Sequence, residues 1–597
     1  MKIFSRSITL LALTGLQACS TAPTVPLAKV APVPSVPSVP SVSAVAAVAA
    51  VARIELNQLG FLPGAAKWAV VPDVAASGFV VLDATTGREV YRGALGPANP
   101  WEPALERVRL ADFSELQTPG KYRLQVDGAG ASAHFVIDAQ AYQKLNAAAL
   151  RAFYYNRASI ELKPEYADLW ARPEGHPDDH VLVHTSAAGP GRPEGSVISA
   201  PRGWYDAGDY NKYIVNSGVT VYTLLAAFEH FPAYFQRQNL NIPESGNGLP
   251  DLLNEALWNL DWMLAMQDPA DGGVYHKLTN KGFDGVVMPH QATSARYVVQ
   301  KTTAAALDFA AVMAQASRVF APFETQRPGL SAQMLAASKA AWTWAAAHPA
   351  TPYQQPTDIY TGGYGDDKFD DEFQWAAAEL YVSTRDDNFL KAMLSRQVKV
   401  ELPGWGSVGT LGWITLAQHR DHLTPAADRA AITQSLLPLA QELAERWQTS
   451  PYRVSMGHDD FYWGSNAVAL NQALVLIQGY RITGERRMLD AAQSAFDFVV
   501  GRHPTGYSMV TGFGERSPLH PHHRPSGAQP ELPPVPGLIV GGPRREVSKD
   551  CPTPYPAGAA KAWQDHMCSY TTNEIAINWN APLVYVSAAL QALTPAP

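Results

Sequence analysis

The sequence predicts a small all-β sandwich followed by one large all-α domain whose helices pair into a toroid. Three observations carry that expectation. Residues 53–138 run as short alternating apolar segments separated by turns. From residue 139 onward, Ala-rich apolar stripes recur at helical spacing. The residues able to do chemistry fall in the Gly-, Pro- and aromatic-rich loops between those stripes, where a site at one rim would be assembled.

A chain of 597 residues with 47% hydrophobic content can bury one large core and a smaller one. Its formal net charge is −8 and it has no dense Lys/Arg cluster, which argues against nucleic acid as a partner. Fifteen Trp and 24 Tyr suit a neutral ligand with flat apolar faces. A monomer is expected.

The N-terminus has the form of an export signal: Lys2 and Arg6 precede an apolar run from Ile8 to Leu16 that is too short to span a bilayer. Leu16-Gln17-Ala18-Cys19 resembles a bacterial lipobox. That implies a signal peptide over 1–18, lipidation of Cys19 and contact with a membrane through acyl chains alone. Ser20 resembles the sorting pattern of a Gram-negative outer-membrane lipoprotein, facing either the periplasm or the surface. Residues 19–52, rich in Pro, Ala, Val and Ser with Val-Pro-Ser repeated, are expected as an extended tether. If Cys19 is acylated, Cys551 and Cys568 remain, either as a disulfide or as two reduced thiols.

The sandwich is placed at 53–138 by Trp68-Ala69-Val70-Val71, Gly78 to Leu82, Lys121 to Val126 and His134 to Ile137, with turns such as Thr118-Pro119-Gly120 between them. The helical domain is placed at 139–597. Its stripes lie at 141–156, 217–232, 249–266, 302–318, 330–347, 370–383, 425–447, 464–480, 485–500 and 574–593, with weaker ones near 386–396 and 408–418.

Three loop stretches carry chemistry. Gly203-Trp204-Tyr205-Asp206-Ala207-Gly208-Asp209-Tyr210 sets two carboxylates three residues apart in a small-residue turn flanked by rings. A water attacking a sugar acetal needs one carboxylate to take its proton, and a second acid must protonate the departing oxygen. Alone, Asp-x-x-Asp is more often a solvated loop or a helix cap. The second stretch is Ser508 to Arg516, continuing to Pro521-His522-His523-Arg524, and the third runs Trp563-Gln564-Asp565, Tyr570 to Ala576 and Asn578 to Pro582.

With all three in view, the chain from about residue 53 to its end resembles glycoside hydrolase family 9, the inverting cellulases with an (α/α)6 barrel. Ile54 to Phe61 resembles the start of the immunoglobulin-like domain that precedes some of these catalytic domains. The resemblance implies that Asp209 is the general base, Asp206 its water-fixing partner and Glu574 the general acid. It implies that His522 and Arg524 bind sugar before the scissile bond, and it leaves Asp565 beside the acid motif as a further catalytic candidate. Trp204, Tyr205, Trp463 and Tyr570 are expected as cleft residues that bind substrate. The activity implied is endo-acting hydrolysis of β-1,4-glucosidic bonds in cellulose or a related β-glucan, without any cofactor for the chemistry. The alternatives are an exo-acting β-glucosidase or glucosaminidase, and, in another class, a carbohydrate-binding protein that has lost catalysis.

Thr361-Gly362-Gly363-Tyr364-Gly365-Asp366-Asp367 and then Asp370-Asp371-Glu372 form a hard-oxygen cluster before a helix. The family often holds a structural calcium there, which makes Thr361, Asp366, Asp371 and Glu372 the candidate ligands. Where many relatives complete that site with Trp-Asp, this chain has Trp405-Gly406. The His176 to His184 segment lacks the cysteines that bind zinc in some relatives, so it is read as a loop shaping the cleft. His520, His522 and His523 lack the geometry and acidic partners of a metal site.

Overall fold

The computed structural model describes residues 53–594. The expected signal peptide, Cys19 and the expected tether fall outside the described residues. The described residues fold as one unit.

The sandwich has eight strands: β1 (Trp68–Pro72), β2 (Gly78–Asp83), β3 (Glu89–Ala94), β4 (Asn99–Trp101), β5 (Glu106–Asp112), β6 (Gly120–Val126), β7 (Gly130–Ala131) and β8 (Phe135–Ile137). One sheet is ordered β1-β5-β4 and the other β3-β2-β6-β7, with β8 on β6, and every pair is antiparallel. Alternation decides which side chains enter the core: along β6, Tyr122, Leu124 and Val126 turn inward while Lys121 and Gln125 face water. Phe61, Phe113 and Phe135 fill the space between the sheets edge to face. β3, β4 and β5 were not among the expected strands, because their charged residues and Pro100 break the apolar alternation.

The rest is an α/α barrel. Six inner helices form the ring: α2 (Ile214–His230), α4 (Thr303–Phe320), α6 (Asp370–Thr384), α8 (Gly409–Gln418), α10 (Ser465–Thr483) and α12 (Ile577–Leu593). Six outer helices back them: α1 (Gln143–Tyr155), α3 (Asp251–Ala265), α5 (Leu330–Ala347), α7 (Asp387–Leu394), α9 (Leu437–Thr449) and α11 (Arg486–Val499). Around the ring α12 packs on α2, α2 on α4, α4 on α6, α6 on α8 and α10 on α12, while Arg481 of α10 donates to Gln418 of α8. Inner helices are buried all round, as in α4 from Thr303 to Ser317, whereas α5 buries one stripe of Met334, Ser338, Ala341, Trp344 and Ala345. The stripe expected over 425–447 is two helices, Arg429–Ser435 and α9, because Pro438 can sit only in a first turn.

The connections also hold a five-stranded sheet absent from the expected helical pattern. It comprises β9 (Val181–Val183), β10 (Val197–Ile198), β11 (Lys212–Tyr213), β12 (Lys277–Thr279) and β13 (Tyr297–Val298), in the order β10-β9-β13-β12-β11. Strands of two or three residues are too short to show a period in the sequence.

The joint between sandwich and barrel is built like an interior. Trp101 of β4 lies flat on Tyr452, centroids 4.1 Å apart, with Phe461 and Phe498 at its edges. Asn57 donates to the buried Asp497 at 2.8 Å, and Lys561 reaches Glu106 at 3.1 Å. Gly501, at φ +141°, brings its backbone so close to Leu56 that a Cβ would stand 2.5 Å from the Leu56 carbonyl oxygen.

The ring is electrically polar. The loops that precede inner helices hold Asp206 and Asp209, Asp366 and Glu574, and the first turn of α6 holds Asp371, while Arg318 and Arg481 occupy last turns at the other end. Acidic side chains thus gather where helix dipoles are positive and the two arginines where they are negative.

Candidate active site

Two loops from opposite ends of the barrel sequence meet over α2 and α12. Ala207 pairs with Ala576 and His522 with Glu574 as isolated bridges, and Ile577 of α12 donates its amide to the Asp206 carbonyl at 2.9 Å. Gly208 is required by this approach, since a Cβ would lie 2.4 Å from the His522 carbonyl oxygen. The turn singled out in the sequence is thereby held against both of the other motif stretches.

Asp206 is buried, and its carboxylate accepts from Asn216 Nδ2 at 2.5 Å and from the Tyr364 hydroxyl at 2.7 Å. Burial first, and the charge of Asp209 second, raise its pKa to about 8. Asp209 Oδ2 accepts from Asn211 Nδ2 and from the Tyr213 hydroxyl at 3.3 Å. Oδ1 of Asp209 has no protein donor among the described residues, so it can receive a proton from a water.

Glu574 sits in extended backbone between the one-turn helix Tyr570–Asn573 and α12. Its carboxyl is pushed well above the ordinary range by burial, then by Asp209 and Asp206, against the pull of Arg524 and the Gly208 amide. The site therefore offers one carboxyl kept protonated opposite another with a free oxygen, the pairing that acid–base hydrolysis needs.

His522 donates from Nδ1 to the Met567 carbonyl at 2.7 Å, since that oxygen can only accept, and this leaves Nε2 as an acceptor. Burial lowers its pKa, favouring the neutral ring. Arg524 is buried and donates to the Gly208 carbonyl at 2.6 Å and the Asp284 carbonyl at 2.9 Å, which clamps the aspartate turn. His523 turns inward to Ser526. Tyr570 and Trp463 are 44% and 43% exposed with ring centroids 5.9 Å apart, and His522 meets Tyr570 at 6.0 Å. They form an apolar shelf on which a sugar face can rest.

Three expectations need correcting. Trp204 and Tyr205 are interior rather than cleft residues: Trp204 donates its indole N–H to Glu255 at 2.8 Å, and Tyr205 pairs with His176 at 2.9 Å. Both carboxylate oxygens of Asp565 accept backbone amides, Leu519 and His520 at 2.8 Å each, so it holds the histidine loop rather than reacting. Thr361 is not grouped with the acids, because its hydroxyl accepts from Lys277 at 3.0 Å and meets Thr279 at 2.6 Å.

The other metal candidates differ in placement. Asp371 accepts the Val408 amide at 2.9 Å, and Glu372 is buried with Oε2 unpartnered beside Asp308, both of whose oxygens lack a partner among the described residues. Burial and the neighbouring acids Asp308 and Asp371 raise Glu372 to about 11. Asp366 lies near Gly406, whose absent side chain leaves it unopposed. Cys551 and Cys568 form a disulfide, so although their sulfurs and His566 lie within 4.8 Å of one another, the thiolates a metal would need are consumed. In the His176 to His184 segment, His176 is tied to Tyr205 and His184 to Asp358.

Sequence reasoning missed Tyr364, Asn216, Asn211, Tyr213 and Lys277, all of which touch the two aspartates or their partners. Asn211 and Tyr213 follow the motif by two and four residues from Asp209, a proximity that could have flagged them. Tyr364 stood inside the stretch read only for metal ligands.

The family model for glycosyl hydrolase family 9 matches residues 142–587, and that for the cellulase N-terminal ig-like domain matches residues 49–131. The chain is 44% identical over 556 residues to the xyloglucan-specific endo-β-1,4-glucanase BoGH9A of Bacteroides ovatus, covering 90% of this chain and 94% of that one. The solved structure of a Bacteroides ovatus GH9 protein superposes with a TM-score of 0.85 at 44% identity, over 91% of this chain and 99% of the other. That of AaCel9A in complex with cellobiose-like isofagomine gives 0.82 at 32% identity, over 90% and 100%.

Proposed function

This chain belongs to glycosyl hydrolase family 9, and on that premise we propose that it is an endo-acting β-1,4-glucanase that cleaves with inversion. Asp209 takes the proton of the attacking water while Asp206 holds that water in place. Glu574 gives its proton to the leaving oxygen, and His522 with Tyr570 and Trp463 seats the sugar. The observation that carries this reading is the junction of the aspartate turn with the Glu574 strand, which sets a protonated carboxyl against one with a free oxygen. On this reading the reaction is a single displacement, with the water that Asp209 activates attacking directly and no covalent intermediate formed.

The 44% identity to a xyloglucan-specific enzyme favours a branched β-1,4-glucan as a substrate alongside unbranched cello-oligosaccharides. The test is a product profile on xyloglucan, cellohexaose and chitosan oligomers, with nuclear magnetic resonance of fresh hydrolysate. Mixed oligosaccharides bearing a new α-anomeric end are expected. Monomer alone would mean an exo enzyme, and a β-anomer appearing first would remove Asp209 from its role.

Calcium belongs to this reading through Asp366, Asp371 and Glu372. The unpartnered oxygens of Glu372 and Asp308 support a cation there, which would be structural and take no part in the reaction. Lipidation at Cys19 and an outer-membrane address rest on Leu16-Gln17-Ala18-Cys19, and Cys19→Ala should move the protein out of the membrane fraction with activity on soluble substrate retained. Unaltered fractionation would refute the anchor.

A further inference from the structure

We propose that Lys277 is a positioning residue for the base, acting on Asp209 through a one-way hydrogen-bonded chain across the small sheet. This rests on the reading of Asp209 as the base.

Lys277 begins β12, opposite Tyr213 of β11, and its side chain is buried. No carboxylate pairs with it among the described residues. Its ammonium donates to the Gly362 carbonyl at 2.6 Å and the Thr361 hydroxyl at 3.0 Å, with Gln355 at 3.4 Å and the rings of Tyr213 and Tyr353 within 5.5 Å. A buried ammonium left without a counter-ion is expensive, so its place needs a reason.

The reason lies in the order of donors. Lysine can only donate, so the Thr361 hydroxyl accepts from Lys277. Thr361 can then donate to Thr279, 2.6 Å away, and Thr279 shares its single proton between Asn211 Oδ1 at 3.0 Å and the Asn280 carbonyl at 2.8 Å. The Asn211 amide donates to Asp209 Oδ2. With the Thr279 proton turned to Asn211, every link points from the cation toward the carboxylate, and bonds aligned in this way polarise one another.

Charge supplies the need. Asp209 acts electrostatically on Asp206, Asp284, Glu574, Tyr213, His522 and Lys277, and the guanidinium groups of Arg524 and Arg296 flank its turn on the Gly208 and Tyr210 carbonyls at 2.6 and 2.8 Å. His522 is turned toward its neutral form by burial and the two arginines are spent on backbone carbonyls, so Lys277 is the cation joined to the Asp209 carboxylate through side-chain hydrogen bonds. Burial lowers Lys277 to about 7 while Asp209 pulls it upward, so it carries its charge on the acidic side of neutrality.

The test is the pH profile of kcat/KM for Lys277→Met and Thr279→Val, beside Asp209→Asn. Without the cation the base holds its proton to higher pH. The acidic limb should therefore move up by about one unit in Lys277→Met, an up to tenfold loss on that limb, with KM unchanged. Thr279→Val keeps the charge and cuts the chain, so it should move the limb the same way by less, and it stands as the test if Lys277→Met does not fold. An unmoved limb in folded Lys277→Met, or in Thr279→Val, overturns the relay while an inactive Asp209→Asn leaves the base in place. An active Asp209→Asn overturns both.

Discussion

The Tyr364 hydroxyl donates to Asp206 Oδ2 at 2.7 Å, tying the loop before α6 to the loop before α2 across 158 residues. It supplies one of the two donors that the buried carboxylate has. Tyr364→Phe should leave Asp206 harder to ionise and lower kcat on cellohexaose by about tenfold, with KM little changed, because the lost bond orients water rather than sugar. A rise in KM at constant kcat would instead make Tyr364 a substrate contact.

Glu574 works in its protonated form, and its raised pKa puts loss of activity on the alkaline side as pH climbs through that value. Glu574→Gln should therefore abolish the alkaline limb and slow hydrolysis of cello-oligosaccharides by about 10²- to 10⁴-fold. Aryl glycosides with good leaving groups should suffer far less. Equal losses on both substrates would show that proton donation is not its task.

Asp206 also links stability to pH. Its carboxyl titrates at about 8 when folded and near the ordinary 3.8 when unfolded, so the protonated form is the one the fold favours. Its contribution is fully present below about pH 4 and is lost as pH rises through 8. Asp206→Asn should flatten that dependence, melting higher than the wild type at pH 8 and gaining nothing at pH 4. Parallel melting curves across that window would contradict the shifted carboxyl.

Asp366, Asp371 and Glu372 predict a metal-dependent melt. A chelator should lower the melting temperature and added calcium should restore it, because a ligand of the folded state stabilises that state by mass action. Glu372→Gln should abolish the response. A melt indifferent to both treatments would empty the site.

The carboxylates of the active site could be read in the sequence because they are packed into short, dense loop motifs between long helical stripes. The 330–347 stripe coincides with α5 for the same reason of period. What the order of residues does not disclose is which side of a loop faces the core. Trp204 and Trp463 look equivalent as aromatic residues beside glycine, yet one is held inside by Glu255, 51 positions away, and the other is 43% exposed. Tyr364 and Lys277 were hidden likewise, since their importance lies in contacts with Asp206 and Thr361 that only folding creates.

The flat contact of Trp101 on Tyr452 bears on how such chains can be inherited. Sandwich and barrel correspond to two family models, which invites the image of exchangeable modules. The joint says otherwise. A recombination that removed the sandwich would bare the Tyr452 ring, strip Asp497 of the Asn57 amide and leave Lys561 without Glu106. At this seam evolution must change both partners together or neither.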